Sequence, residues 1–171
     1  MNKTFKKALL IASVVVPFLL YCVYYYAGVF RRAPYKFTEF EYFTFEYGPG
    51  DSLINKYNSR TGEYQYVNSH DSLVKMNMHL PEADLLYLHH QMAEQGLWDF
   101  PEVEIGDTSR RIDGQRPLRY SIAFYYKRTS KKVLFDESFN GDPKLKAANE
   151  EVVKQIEKVL NDEQNKEEEN K

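Results

Sequence analysis

Cysteine is almost missing. Cys22 is the only one in 171 residues, which excludes an intramolecular disulfide framework and any cysteine-cluster metal site. Acidic residues are missing from the first 36 positions, where Lys3, Lys6, Lys7, Arg31, Arg32 and Lys36 give +6. The whole chain has 23 basic and 25 acidic residues, so the remainder carries −8. That is the wrong sign for a nucleic-acid surface, and no nucleic-acid partner is expected. Low-complexity sequence is also missing. With 8 Gly, 7 Pro and 15% aromatic residues, the chain has the composition of a folded protein. Its length fits one modest domain with appendages, since ordinary domains run to roughly 100–200 residues.

Charge is absent over a long run. Residues 8–30, ALLIASVVVPFLLYCVYYYAGVF, would form a helix of roughly 34 Å, enough for a hydrocarbon core of about 30 Å. Pro17 is tolerable there, and Tyr21, Tyr24, Tyr25 and Tyr26 crowd the C-terminal half, as headgroup-level aromatics do. Three readings compete. A cleaved signal peptide wants a small-residue site, which Tyr24-Tyr25-Tyr26-Ala27-Gly28 does not offer. A lipoprotein would be lipidated at Cys22, but Tyr21 stands where that motif wants a small residue. An uncleaved transmembrane anchor fits the length, and it is the expectation adopted. The basic residues on both sides of the run give a slight positive-inside bias. They favour a cytoplasmic N-terminus and an extracytoplasmic body. No N-x-S/T sequon follows the span.

Beyond Pro34 strand patterns dominate. Residues 37–47, FTEFEYFTFEY, suit a pleated surface, with a break of phase at Glu39 and Glu41 that suggests a bulge or a strand covered partly on both sides. Gly48-Pro49-Gly50-Asp51 signals a turn. Segments 52–58 and 63–67 flank Ser59-Arg60-Thr61-Gly62 as a hairpin, and Val74, Met76 and Met78 alternate along a fourth strand. Pro81 then opens a helix with Glu82 and Asp84 in its first turn, and Gly96 stops it. Leu97–Pro101 is expected to fold back and bury Trp98. Residues 101–117 read as one irregular stretch. In 118–128 Leu118, Tyr120, Ile122, Phe124 and Tyr126 face one way, with Arg119, Ser121, Tyr125 and Lys127 mostly toward water. A strand over 131–137 and a helix to about residue 161 follow, then a polar end, DEQNKEEENK.

The resulting fold class is α+β: an N-terminal transmembrane helix, then a mainly antiparallel sheet of about six strands with two helices packed on one face. The expected organisation is an anchor over 1–32, a soluble domain over 33–161 and an acidic disordered tail over 162–171. The run from Asp71 through Leu80-Pro81-Glu82, with Gly96-Leu97-Trp98-Asp99-Phe100-Pro101, resembles small α+β domains of unknown function in bacterial membrane-anchored and lipoprotein envelope proteins. The resemblance spans about residues 40–160. It implies an envelope location and brings no catalytic residues.

No motif assigns an activity. There is no G-x-S-x-G elbow, no phosphate-cradling loop, no EF-hand and no H-E-x-x-H. His89 and His90 are neighbours on a helix and point about 100° apart, which suits a shared metal poorly. Ser69-His70-Asp71-Ser72 reads as a turn rather than a triad. No catalytic residue, metal site or cofactor is expected, and an enzyme is the less favoured class. The loop 101–117 is the candidate binding segment: Asp107, Arg110, Arg111, Asp113 and Arg116 combine planar arginine forks with carboxylates. A solvated connector with internal ion pairs explains the same residues. The second candidate is the tyrosine-rich sheet face. The expected function is a single-pass anchored, extracytoplasmic binding or structural module with an envelope protein as partner. The alternatives are a small envelope hydrolase or accessory subunit, or a lipoprotein anchored at Cys22.

Overall fold

In the computed structural model the described residues are 12–25, 35–107, 111 and 114–169. The chain divides into two compact units, Met1–Lys36 and Phe37–Lys171. In the first, residues 12–25 form helix α1. Its side chains are exposed apart from the half-buried Cys22, and Tyr21 and Tyr25 stack one turn apart with ring centroids at 6.2 Å. Fourteen residues make about 21 Å of helix, and no helix among the described residues is long and apolar enough to cross a membrane. The remainder of the expected span, 8–11 and 26–30, lies outside the described residues.

The second unit is α+β. A 3-10 turn at Phe37–Glu39 leads into β1 (Phe40–Pro49), β2 (Asn55–Asn58), β3 (Glu63–Val67) and β4 (Leu73–Asn77). Helix α2 (Glu82–Gln95) and a second 3-10 turn (Leu97–Asp99) follow, then β5 (Val103–Glu104), β6 (Leu118–Tyr126), β7 (Ser130–Asp136) and helix α3 (Pro143–Glu169). The strands form one sheet in the order β4-β3-β2-β1-β6-β7-β5. All neighbours are antiparallel except β5 on β7. The expected count of about six strands is therefore corrected to seven and the sheet is mixed. Two residues are too few to show alternation, so β5 left no periodic mark within 101–117.

The break of phase in 37–47 has a structural counterpart. The β1–β6 register shifts between Phe40 and Tyr42, so from Tyr42 onward odd positions point inward. Phe43, Phe45, Ile122, Phe124, Val133 and Phe135 are buried on that face. Both long helices cover it. Trp98, carried by the turn after α2, meets Phe124 and Tyr126 edge-on at 5.5 and 5.8 Å. From α3, Gln164 donates to the Tyr66 hydroxyl at 2.9 Å, and Val152, Val153, Ile156, Val159 and Leu160 are buried. α2 and α3 also pack on each other, with Tyr87 donating to Gln155 at 2.8 Å and Lys166 lying 3.8 Å from Asp84.

Two local expectations need correction. Residues 162–169 continue α3 instead of forming a disordered tail. Lys166 pairs with Glu163 at 2.9 Å, and Gln164 donates to Glu168 at 3.0 Å. Such i,i+3 and i,i+4 contacts, added to good intrinsic propensity, extend a helix that has no apolar residue left to bury. Arg119, expected to face water, is buried because two carboxylates receive it.

Candidate binding face

Among the described residues, the sheet's second face carries no helix of its own unit. Antiparallel sheets commonly leave one face solvated, and here the register converts that face into ordered rows. Glu46 lies opposite Lys56, Lys56 opposite Gln65, and Gln65 opposite Lys75. In the adjacent row Thr44 pairs with Asn58 and Glu63 with Asn77. Lys56, Glu63, Lys75 and Asn77 are exposed, while Thr44, Glu46, Asn58 and Gln65 are half-buried. Together these side chains line a groove of about 580 Å³ running from β1 to β4, within the range of about 300–1,000 Å³ typical of small-ligand sites.

The groove has two distinct ends. At one end Tyr42 and Tyr125, opposed across β1 and β6, stack at 4.3 Å with an 8° interplanar angle. The Arg60 guanidinium lies 3.9 Å from the Tyr42 ring centroid and 2.7 Å from Glu41. At the other end Val67 and Leu73 face each other one row beyond Gln65 and Lys75, both substantially exposed. Glycine makes the tight β2–β3 turn possible: Gly62 has φ 73°, and an added Cβ would come within 2.7 Å of the His79 ring. That turn delivers Arg60 to the face.

The structure describes three of the five residues singled out in 101–117: Asp107, Arg111 and Arg116. Arg110 and Asp113 lie outside the described residues, and Arg111 and Asp107 are exposed. Arg116 alone lines a cleft, of about 150 Å³, with Gly50, Asp51, Pro117, Arg119 and Asp136. The cleft is organised by the buried Arg119, not by the loop. Arg119 Nε and Nη2 each donate to Asp136 Oδ2 at 3.3 Å, and Nη1 pairs with Asp51. Asp136 Oδ1 accepts from the Ser138 backbone N–H at 2.7 Å and its hydroxyl at 2.5 Å. The two carboxylates compensate the burial of the guanidinium and engage three of its five N–H groups.

Behind the cleft β5 is tied to α3 by a buried polar contact. Asn149 Nδ2 donates to Glu104 Oε2 at 2.6 Å and to the Leu145 carbonyl at 3.1 Å. Glu104 is 1% exposed, and its Oε1 has no hydrogen-bond partner among the described residues, nor has Asn149 Oδ1. Burial pushes the Glu104 carboxyl above its usual range, against the opposing pull of Asn149 and Lys131. Desolvation likewise lowers the Lys131 ammonium. Tyrosines under α3 respond the same way: burial pushes Tyr57 up to about 12 and raises Tyr64 and Tyr120 further.

Among the histidines, His89 is half-buried within an aromatic set of Phe37, Phe40, Trp98 and Tyr126, at centroid distances of 5.4–6.4 Å. His70, His79 and His90 are exposed. Among the described residues no three His, Cys, Asp or Glu side chains are grouped to hold a metal ion. The polar face went unnoticed in the sequence because each strand contributes only two of its residues. Its signal was the alternation of Thr44/Glu46, Glu63/Gln65 and Lys75/Asn77 with apolar or aromatic neighbours. No protein-family model, no curated protein and no solved structure matches this chain.

Proposed function

We propose that the chain is a binding module held at a membrane by residues 8–30, with the bare face of the sheet as its recognition surface. One observation carries the reading: α2 and α3 cover one face, while the opposite face presents two registered polar rows around a 580 Å³ groove. Such a surface suits recognition more than catalysis, since among the described residues no hydrogen-bonded nucleophile–base pair lies in it. The anchor rests on the uncharged run and its aromatic C-terminal half, and the slight basic bias favours an extracytoplasmic body. An envelope protein or an envelope polymer is the partner such a location supplies.

Position-specific crosslinking tests this. A photoreactive residue is introduced at Lys56, inside the groove, or at Lys154, exposed on α3, in cells carrying the full chain. Adducts from position 56 and none from 154 are the expected result. Equal yields from both positions, or none from 56, would remove the face from consideration. Protease added to intact spheroplasts should digest a C-terminal tag; protection until lysis would reverse the orientation.

A further inference from the structure

The groove is defined as much by what its side chains are not doing as by their identity. The fold uses only half of its polar groups. Asn58 Oδ1 accepts from the Arg60 backbone N–H at 2.9 Å, Gln65 Nε2 donates to the Ile54 carbonyl at 2.7 Å, and Asn77 Nδ2 donates to the Thr61 carbonyl at 2.9 Å. Each amide is thereby fixed in orientation with its other end free. Among the described residues the Thr44 hydroxyl, Asn58 Nδ2, Gln65 Oε1, Asn77 Oδ1 and the Lys75 ammonium have no hydrogen-bond partner. The surface therefore offers donors and acceptors side by side, held by bonds on the opposite end of the same groups.

The charges decide which ligands this array suits. Lys56 and Lys75 are matched by Glu46 and Glu63, with Lys56 and Glu46 4.0 Å apart. A surface with no net charge has no steering field for a polyphosphate, an anionic lipid headgroup or a strongly charged peptide. A floor of amides and a hydroxyl is likewise a poor seat for an apolar helix, which needs a hydrophobic groove. What remains is an uncharged ligand whose groups each donate and accept. The hydroxyl is that group.

The two ends of the groove complete the match. Val67 and Leu73 supply apolar surface beyond one row, and the Tyr42–Tyr125 pair supplies ring surface beyond the other. A sugar ring has the same division, with hydroxyls around its rim and C–H groups on its faces. Four strands at about 4.8 Å spacing give a polar row about 14 Å across, room for a short chain of such rings and not for one alone. Resting on the reading of this face as a recognition surface, we infer that the groove between β1 and β4 binds an uncharged oligosaccharide, with Thr44, Asn58, Gln65, Lys75 and Asn77 contacting its hydroxyls.

The test uses the full chain in phosphatidylcholine nanodiscs, so that no glycoside detergent competes. Cellotriose, chitotriose and maltotriose are titrated calorimetrically, and an array carrying neutral glycans, acidic glycans and extended peptides is probed in parallel. Saturable binding of at least one neutral glycan is expected. Thr44→Val and Lys75→Gln alter groups the fold leaves uncommitted, so each should weaken that binding by about tenfold without moving the thermal transition. Lys154→Gln, on α3, should change neither. Binding of peptides or acidic glycans with no neutral glycan bound would overturn the inference, as would neutral-glycan binding indifferent to both groove variants. If crosslinks from Lys56 persist while no neutral glycan binds, the oligosaccharide is wrong and the recognition face stands. If both fail, the face itself is wrong.

Discussion

The two faces of the sheet are made from the same strands by alternate residues, yet they obey different physics. Phe43 and Phe45 are at most 1% exposed beneath the helices, while Tyr42, Thr44 and Glu46, their immediate neighbours, stand on the groove side. On the covered side energy comes from excluded water and close packing, and a lost methylene is felt. On the bare side each polar group exchanges one hydrogen-bond partner for water at little net cost. Stability is therefore concentrated on one side and chemical choice on the other, which leaves the groove free to vary without unfolding the body.

Substitutions on the covered side should give the largest effects. Trp98 is 7% exposed and meets two aromatic rings edge-on. Trp98→Ala should cost about 3–5 kcal/mol in chemical denaturation; a loss below about 1 kcal/mol would mean that the two faces do not differ as described. The Arg119–Asp136 pair comes next. Arg119→Met strips a buried carboxylate of its partner and should cost about 3 kcal/mol or more. Asp51→Ala removes a partner whose side chain is 84% exposed, and it should cost no more than about 1 kcal/mol.

The third effect is a dependence on pH. Burial holds the Glu104 carboxyl above its ordinary value, so its folded-state pKa exceeds the unfolded one. The favourable contribution is complete below the unfolded pKa and is lost as pH rises through the folded pKa. Stability measured from about pH 4 upward should thus decline over that window in the native chain. In Glu104→Gln the decline should shrink, with a residual slope from Glu157, whose carboxyl is raised by burial and by Glu137. An unchanged profile would show that Glu104 ionises freely. The smallest effect belongs to the bare face: Thr44→Val should shift stability by no more than about 0.5 kcal/mol, and a larger loss would make the groove part of the core.

Much of the body was legible because it is periodic. β6 alternates over nine residues, and α2 is bounded by Pro81 and by Gly96, whose φ of 80° makes the stop. What escaped was whatever depends on a partner distant in sequence. β5 exists only because Val103 and Glu104 pair with Leu134 and Phe135. Arg119 occupies a water-facing position of its strand and is buried only because Asp51 and Asp136 converge on it. Residues 162–169 have the composition of a solvated end, yet from within them Gln164 reaches Tyr66 and Lys166 reaches Asp84. The loop arginines form a cluster in sequence, and the one described as lining a cleft, Arg116, does so beside the turn after β1 and residues of β6 and β7. The polar rows needed the register of four strands, which no single strand encodes.

The two margins of the sheet are closed differently. Beyond β7 lies β5, a parallel pair of residues too short to template anything further. Beyond β4 lies nothing among the described residues: Leu73, Lys75 and Asn77 are exposed along it, and β4 itself pairs on one side only, with β3. A strand added from another molecule could join at β4, and two copies meeting there about a two-fold axis centred on Lys75 would set ammonium against ammonium. Growth by edge pairing needs two competent margins per molecule, and of these the β4 margin is guarded by a positive charge. A body guarded in this way resists edge-to-edge growth into a fibre.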